Sequence, residues 1–503
     1  MEPKLKLSAA LSISIISAIG ILLQILSQLV IAYYFGTGRD LESYFIGFAV
    51  PSYALVVLVF CINTSFVPHF LSIKSLKGEL ISREFGHTVL AWVAVISLVV
   101  VVVGILFRSA VVSFLFRGSD LELINTASAL SVFIWPTVLI GAAMAVLSSR
   151  RQAEARFYVP AFLQLLNPFF QIAFAVTLTN SIGIRALAIG NLVGNGAPLI
   201  ILLMLDRDWL KGKWHLESDD IRKWFRSAGV LFSGNVITRF TPVIERMAAS
   251  TQPAGSIAEL NYANRIIATL GGVISSGIGI TGFTRLSDFA SRNEMGLFRK
   301  HLLKLIRITM LIVLPIAIIV IFQGKWIVSI LLLRGKFSGS NVEKVYWLLI
   351  SYLGYFIAGS VGSIVGRGLY AMRLNTIATV LDSLGVAYYG IMIVLITPYF
   401  GIIGVALSFS LYYLTNTAIA LFILLKKIGY WPEKEDISFV LKIACSVLVM
   451  IIFYVVVPLR GSSLINVIRG GAAFGVFVSA LILLRVNDLA EIFLLFNPKT
   501  KTT

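Results

Sequence analysis

Four ionisable side chains stand inside stretches that are otherwise apolar: Arg239, Glu245 and Arg246 in one, and Arg265 in the next. A charge placed in hydrocarbon costs about 2.5–3.5 kcal/mol to insert, so each is expected to face a cavity or an opposite charge. Arginine offers a planar fork of donors that matches phosphate oxygens. On a continuous helix Arg239 and Arg246 would share one face two turns apart, with Glu245 turned about 100° away. These residues therefore suggest a cationic site for a diphosphate, built from Arg239, Arg246 and Arg265. The competing reading is that Glu245 neutralises one arginine while the others reach an interface.

Amides supply the other polar chemistry: Gln24 and Gln28, Asn63, the stripe Gln164, Asn167 and Gln171, and the pair Asn191 and Asn195. They could bond sugar hydroxyls, although membrane helices also use amides as glue worth about 0.6 kcal/mol each. Asp382, the one acid in its stretch, could carry a coupling cation or pair with Arg367. Nothing points to an enzyme. His69, His87, His215 and His301 are scattered, and Cys61 and Cys445 lie far apart, so no metal site, disulfide or cofactor is expected. A phosphate-binding loop of the GxxxxGK[ST] kind is missing, which argues against ATP as the drive.

The elements that position these groups follow from hydropathy. Only 13% of the residues are charged and 58% are hydrophobic, against about a quarter charged in soluble domains. Apolar runs long enough to cross a bilayer occur at 8–35, 44–71, 88–107, 123–149, 157–179, 184–205, 227–251, 256–284, 302–323, 343–371, 376–397, 402–425, 438–458 and 465–485. The chain is thus expected to be an all-α polytopic membrane protein with about fourteen transmembrane helices, its first retained rather than cleaved as a signal peptide. The net charge of +18 lies mostly in short loops and not on one patch, which excludes nucleic acid. The N-terminus (Lys4, Lys6), every second loop and the tail (Arg485, Lys499, Lys501) are basic, whereas the outer loop after 438–458 has only Arg460. Both termini are expected in the cytoplasm of a bacterium, with the protein in its inner membrane. The stretch KWIVSILLLRGKF is the exception, a basic outer segment expected along the interface. Pro51, Pro136, Pro168, Pro198, Pro242 and Pro315 fall within spans and should bend them.

The chain also repeats itself at an offset of about 217 residues. FLFRG ending at Gly118 matches LLLRG ending at Gly335, ARFYVPAFLQLL matches MRLNTIATVLDS, GIRALAIG matches GIIGVALS, and Glu42 with Tyr44 maps near Glu259 and Tyr262. The expected domains are a six-helix bundle at 1–210, a second at 211–430, and two further helices with a short tail at 431–503. Two like bundles around a central cavity are the architecture of an alternating-access transporter.

Five strings then acquire a common source. FGTGRDLESYFIGFAVPS, TSFVPHF, NYANRII, LLLRGKFS and GRGLYAMRLNT resemble, in order and at the right loops, the MurJ/MviN lipid II flippases of the multidrug/oligosaccharidyl-lipid/polysaccharide exporter superfamily. The resemblance implies a carrier that moves an undecaprenyl-diphosphate-linked glycan, the peptidoglycan precursor lipid II, from the inner to the outer leaflet. It further implies a monomer working among membrane lipids, with cell-wall or polysaccharide synthesis enzymes as partners. Cavity arginines of the family match here only at Arg265, beside Asn264, and the acid after the first FG turn matches as Glu42. Where the family has arginines in its first two helices, this chain has Ser27 and Gln28, then Leu55 and Val56. An O-antigen or exopolysaccharide repeat-unit flippase and a cation-coupled multidrug exporter therefore remain as alternatives.

Overall fold

The computed structural model describes residues 3–211, 218–431, 433–457 and 462–486. Lys213, His215, Arg460, Lys499 and Lys501 lie outside the described residues, as do the side chains of Lys4 and Lys6. Every regular element among the described residues is a helix. In chain order they are α1 (Pro3–Phe35), α2 (Arg39–Lys77), α3 (Glu79–Leu106), α4 (Arg108–Leu115), α5 (Leu121–Ile134), α6 (Pro136–Ala153), α7 (Tyr158–Leu163), α8 (Leu166–Ile182), α9 (Arg185–Leu205) and α10 (Arg207–Leu210). There follow α11 (Asp219–Thr238), α12 (Thr241–Ala249), α13 (Ser256–Ser291), α14 (Met295–Leu332), α15 (Gly339–Ser351), α16 (Leu353–Ala371), α17 (Asn375–Phe400), α18 (Ile402–Lys427), α19 (Lys434–Val456) and α20 (Ser463–Leu483). Among the described residues eleven spans are long and apolar enough to cross a membrane, or twelve with the bent pair α15 and α16 taken as one. The spans expected at 227–251 and 256–284 correspond to α11 with α12, and to α13, the helices that carry the intramembrane charges.

The helices fall into two compact units, residues 1–258 with 334–338, and residues 259–333 with 339–503. In the first, α2 packs against α3, α5, α6, α11 and α12. Its apolar stripe Ile62, Phe66, Phe70 and Ile73 recurs at helical spacing and buries itself against Phe85 and Val89 of α3, Val146 of α6 and Trp224 of α11. In the second, α16, α17 and α18 pack together, and the hairpin of α19 and α20 lies on α14 through Leu311, Ile318, Met450 and Phe477. Arg307 of α14 pairs with Asp436 of α19 at 2.7 Å, fixing the end of that hairpin.

Equivalent helices are shaped alike across the 217-residue offset. A helix break at Trp135, between α5 and α6, has its counterpart at Tyr352, between α15 and α16. Ala155 and Arg373, which end α6 and α16, are both non-glycine residues with φ of 58°. Each end is closed by a bond from one residue further on to the carbonyl five back, Arg156 N to Arg151 O at 2.7 Å and Leu374 N to Leu369 O at 2.9 Å. Gly183 and Gly401, with φ of 60° and 55°, turn the chain before α9 and α18. A left-handed conformation costs an L-residue about 1–2 kcal/mol, so its recurrence at matched positions reflects a shared architecture.

The prolines act less uniformly than expected. Pro136 and Pro242 sit in the first turn of a new helix after a break, where the missing N–H is harmless. Pro51, Pro198 and Pro315 lie inside helices that continue through them. The break at Tyr352 has no proline. There the Ser410 hydroxyl of α18 donates to Ser351 O at 2.5 Å and accepts from Tyr355 N at 3.0 Å, satisfying both backbone groups that the break releases. A Cβ on Gly354 would stand 2.7 Å from Ser410 Cβ, so glycine permits this approach. One further expectation is corrected: KWIVSILL continues α14 as part of the same helix, because its apolar run contains no residue that stops it.

Candidate functional site

Arg239 and Arg246 do not stand on one continuous helix. Between α11 and α12, Arg239 is the C-cap and Phe240 the following N-cap, so the helical phase is lost between the two arginines. Pro242 lacks the N–H that would bond back one turn, and α2 stabilises the opening. Tyr53 OH donates to Val236 O at 2.5 Å, and the Tyr53 ring meets that of Phe240 edge-on at 5.2 Å. The face-sharing geometry expected from spacing alone is thereby replaced by two separate seats, both on α2. The exposed Arg239 guanidinium lies over Phe60 at 4.9 Å, and that of the half-buried Arg246 over Phe48 at 5.9 Å. Phe48 is itself stacked on Tyr44 at 5.8 Å. A cation over an aromatic face gains about 0.5–2 kcal/mol, which offsets part of the insertion cost while leaving the N–H donors of the fork available. Glu245, next to Arg246, is buried.

The other candidates are distributed. Glu42 is 3% exposed and its carboxylate accepts from Ile257 N at 2.9 Å, holding the first turn of α13 where amides lack helical partners. Gln28 is half-buried, and among the described residues its Oε1 is buried with no hydrogen-bond partner. Ser27 beside it donates to Gln171 Oε1 at 3.2 Å, and Gln171 donates to Asn167 Oδ1 at 3.1 Å, a ladder joining α1 to α8. On α2, Leu55 fills the space over Gly141, and Val56 is exposed. Arg265 and Asn264 lie on α13 in the second unit, Arg265 exposed and Asn264 half-buried. Asp382 of α17 accepts from Asn416 Nδ2 of α18 at 3.1 Å, near Tyr412, whose ring packs with those of Tyr389, Phe409 and Tyr413. Among the described residues no three His, Cys, Asp or Glu side chains gather as metal ligands would.

One charged cluster is invisible to spacing rules. Arg150 and Arg151 read as loop cations, yet they are 8% and 6% exposed and converge on Asp206, itself 4% exposed. Arg150 Nη1 and Arg151 Nη2 reach Asp206 Oδ1 at 2.8 and 2.7 Å, and Arg150 also pairs with Glu154 at 3.0 Å. Trp209 covers the Arg150 guanidinium at 4.8 Å, and its carbonyl accepts from Arg83 Nε at 2.9 Å and faces the His87 ring. At the equivalent positions of the second repeat the contact is apolar: a Cβ on Gly368 would stand 2.8 Å from Leu424 Cδ2. The same helix crossing is made by an ion cluster in one half and by hydrocarbon in the other. The only sequence signal was Asp206 opening the hydrophilic stretch that ends α9.

Comparison with known proteins agrees with this architecture. The chain is 25% identical to a protein named probable lipid II flippase MurJ from Buchnera aphidicola subsp. Acyrthosiphon pisum, over 97% of this chain and 98% of that one. A solved structure described as lipid II flippase MurJ in an inward closed conformation superposes with a TM-score of 0.81 at 21% identity, covering 94% of this chain and 98% of the other. An inward-facing multidrug resistance MATE family transporter superposes with a TM-score of 0.66 at 13% identity, over 81% and 94% of the two chains. At such identities these two likenesses speak for the fold. The profile of the family described as lipid II flippase MurJ matches residues 31–468, nearly the whole membrane-embedded chain, and this protein belongs to that family.

Proposed function

We propose that the protein carries lipid II, an undecaprenyl-diphosphate-linked glycan, from the inner to the outer leaflet of the bacterial cytoplasmic membrane by alternating access. The observation that carries this reading is the family match over residues 31–468. The site is proposed to use Arg239, Arg246 and Arg265 as donors to the diphosphate, with Asn264 and Gln28 offering hydrogen bonds to neighbouring polar groups of the substrate. Glu42 supports the site by holding the start of α13, and Glu245 balances part of the charge. Asp382 with Asn416 is a polar pair suited to sensing a cation.

With both termini in the cytoplasm, a diphosphate leaving the negative interior gains about 2.3 kcal/mol per charge for each 100 mV. The empty cationic site is drawn back inward by the same field, so the potential favours both halves of the cycle. The direct test is complementation of a strain depleted of its own lipid II flippase. Rescue supports the assignment. Failure by a well-inserted protein would move it to an O-antigen or exopolysaccharide repeat unit, the reading to which Ser27, Gln28, Leu55 and Val56 lend weight by standing where the family has arginines.

A further inference from the structure

The foot of the α19 and α20 hairpin holds a cavity that no proposed step of transport uses. It measures about 320 Å³, opens along one side, and lies between the start of α19 and the end of α20. That volume falls within the range of about 300–1,000 Å³ common to small-molecule sites. Its apolar wall is Ile437, Leu441 and Cys445 of α19 with Leu484 of α20. The three α19 residues recur at steps of four, so they form one strip running from the helix end into the span. Two cations complete the lining: Lys434, the first residue of α19, and Lys442, eight residues further on and thus about 12 Å deeper along the helix.

Both lysines are placed to meet an anion. Lys442 is half-buried, and its Nζ donates to Arg485 O at 3.3 Å, so the apolar stem reaches toward the end of α20 while two of the three N–H donors remain for a ligand. Arg485 O is presented by the turn that closes α20, in which Arg485 has φ of 53° and Val486 N donates to Leu481 O at 3.0 Å. Lys434 is exposed, and among the described residues neither lysine makes an ion pair. Two acids of the adjoining turn are held elsewhere: Glu433 pairs with Arg299 at 3.5 Å and Asp436 with Arg307 at 2.7 Å, both on α14. Glu435, the third, does not line the cavity.

We propose that this cavity binds one anionic phospholipid of the adjoining leaflet, with its phosphate at Lys434 and Lys442 and one acyl chain along the strip of Ile437, Leu441 and Cys445. Charge selects the class: two ammonium groups without acidic partners favour a headgroup of net negative charge over a zwitterionic one, whose own cation they repel. The apolar wall continuing into the span selects a lipid over a free phosphate. The site holds whatever glycan the protein transports. Its test is native mass spectrometry of the delipidated protein with phosphatidylglycerol or phosphatidylcholine. The first phosphatidylglycerol is expected to bind at least about tenfold more tightly than the first phosphatidylcholine. Lys434→Gln with Lys442→Gln, in which the amide can still donate to Arg485 O, should reduce that preference to within about twofold. Cys445→Trp, which keeps both charges and fills the exposed apolar wall, should weaken phosphatidylglycerol binding at least about threefold. The control Lys426→Gln with Lys427→Gln removes equal charge from the exposed end of α18 and should leave the preference intact. Each variant is compared at a melting temperature equal to the parent's. Equal binding of the two lipids by the parent, a preference that survives in the Lys434 and Lys442 pair, or an equal loss in the control pair would overturn the site. So would displacement of the first phosphatidylglycerol by an equal concentration of undecaprenyl phosphate, which would give the cavity to a polyprenyl carrier instead.

Discussion

Arginines 239 and 246 were visible in the sequence as misfits in apolar runs, but not the seats that hold them. Their separation by a broken helix depends on Tyr53, which reaches Val236 across 183 positions of chain. Residue spacing carries no information on a bond that distant. If the three arginines bind a diphosphate, Arg265→Ala should abolish flipping while the amount of inserted protein is unchanged, which a transport assay paired with a blot of the membrane fraction reads directly. Arg246→Lys keeps the charge and the contact with Phe48 but loses the fork. It should lower transport by about tenfold, equivalent to about 1.4 kcal/mol in the limiting step. Transport equal to the parent in both variants would leave the arginines as ballast with no part in binding.

Helix positions were largely legible, because runs of apolar residues and basic loops are local properties of the chain. Breaks were not. Pro136 announced one of them, but its counterpart at Tyr352 is made by a serine from α18, and a serine in an apolar run looks like any other. Ser410→Ala leaves a buried amide and carbonyl without partners, a loss of about 1–3 kcal/mol that should lower the melting temperature of the detergent-solubilised protein. The buried pairing of Arg150 and Arg151 was not legible for a related reason: their partner Asp206 comes from another helix end. Removing Asp206 alone, as Asp206→Ala, strands the buried Arg151, leaves Arg150 with Glu154 alone, and should cost about 3–5 kcal/mol. The second repeat indicates the remedy. Arg150→Gly, Arg151→Leu and Asp206→Leu together copy Gly368, Leu369 and Leu424 of the second repeat and should recover much of that loss in the same melting measurement, with Glu154 still near Arg156. A triple variant no more stable than Asp206→Ala would mean that the ion cluster does something packing cannot replace.

For the molecule as a whole, the duplication is the most informative feature of the sequence, since it pairs the turns at Gly118 and Gly335 and the ends of α6 and α16. It could not reveal which compact unit each segment joins: α11 and α12, which follow residue 210, pack on α2 in the first unit. That assignment depends on side chains of two distant helices meeting, as Trp224 does with the α2 stripe. The charge distribution leads to one expectation at this scale, that an inside-negative potential imposed on proteoliposomes accelerates outward movement of a diphosphate-linked substrate. The measurement that bears most directly on the account is the rate at which purified protein in sealed proteoliposomes moves fluorescent lipid II between leaflets, compared with its Arg265→Ala variant reconstituted at the same density. The account predicts rapid movement by the parent, faster with the potential applied, and movement at the protein-free rate by the variant. Parent liposomes that move lipid II no faster than protein-free ones would contradict it.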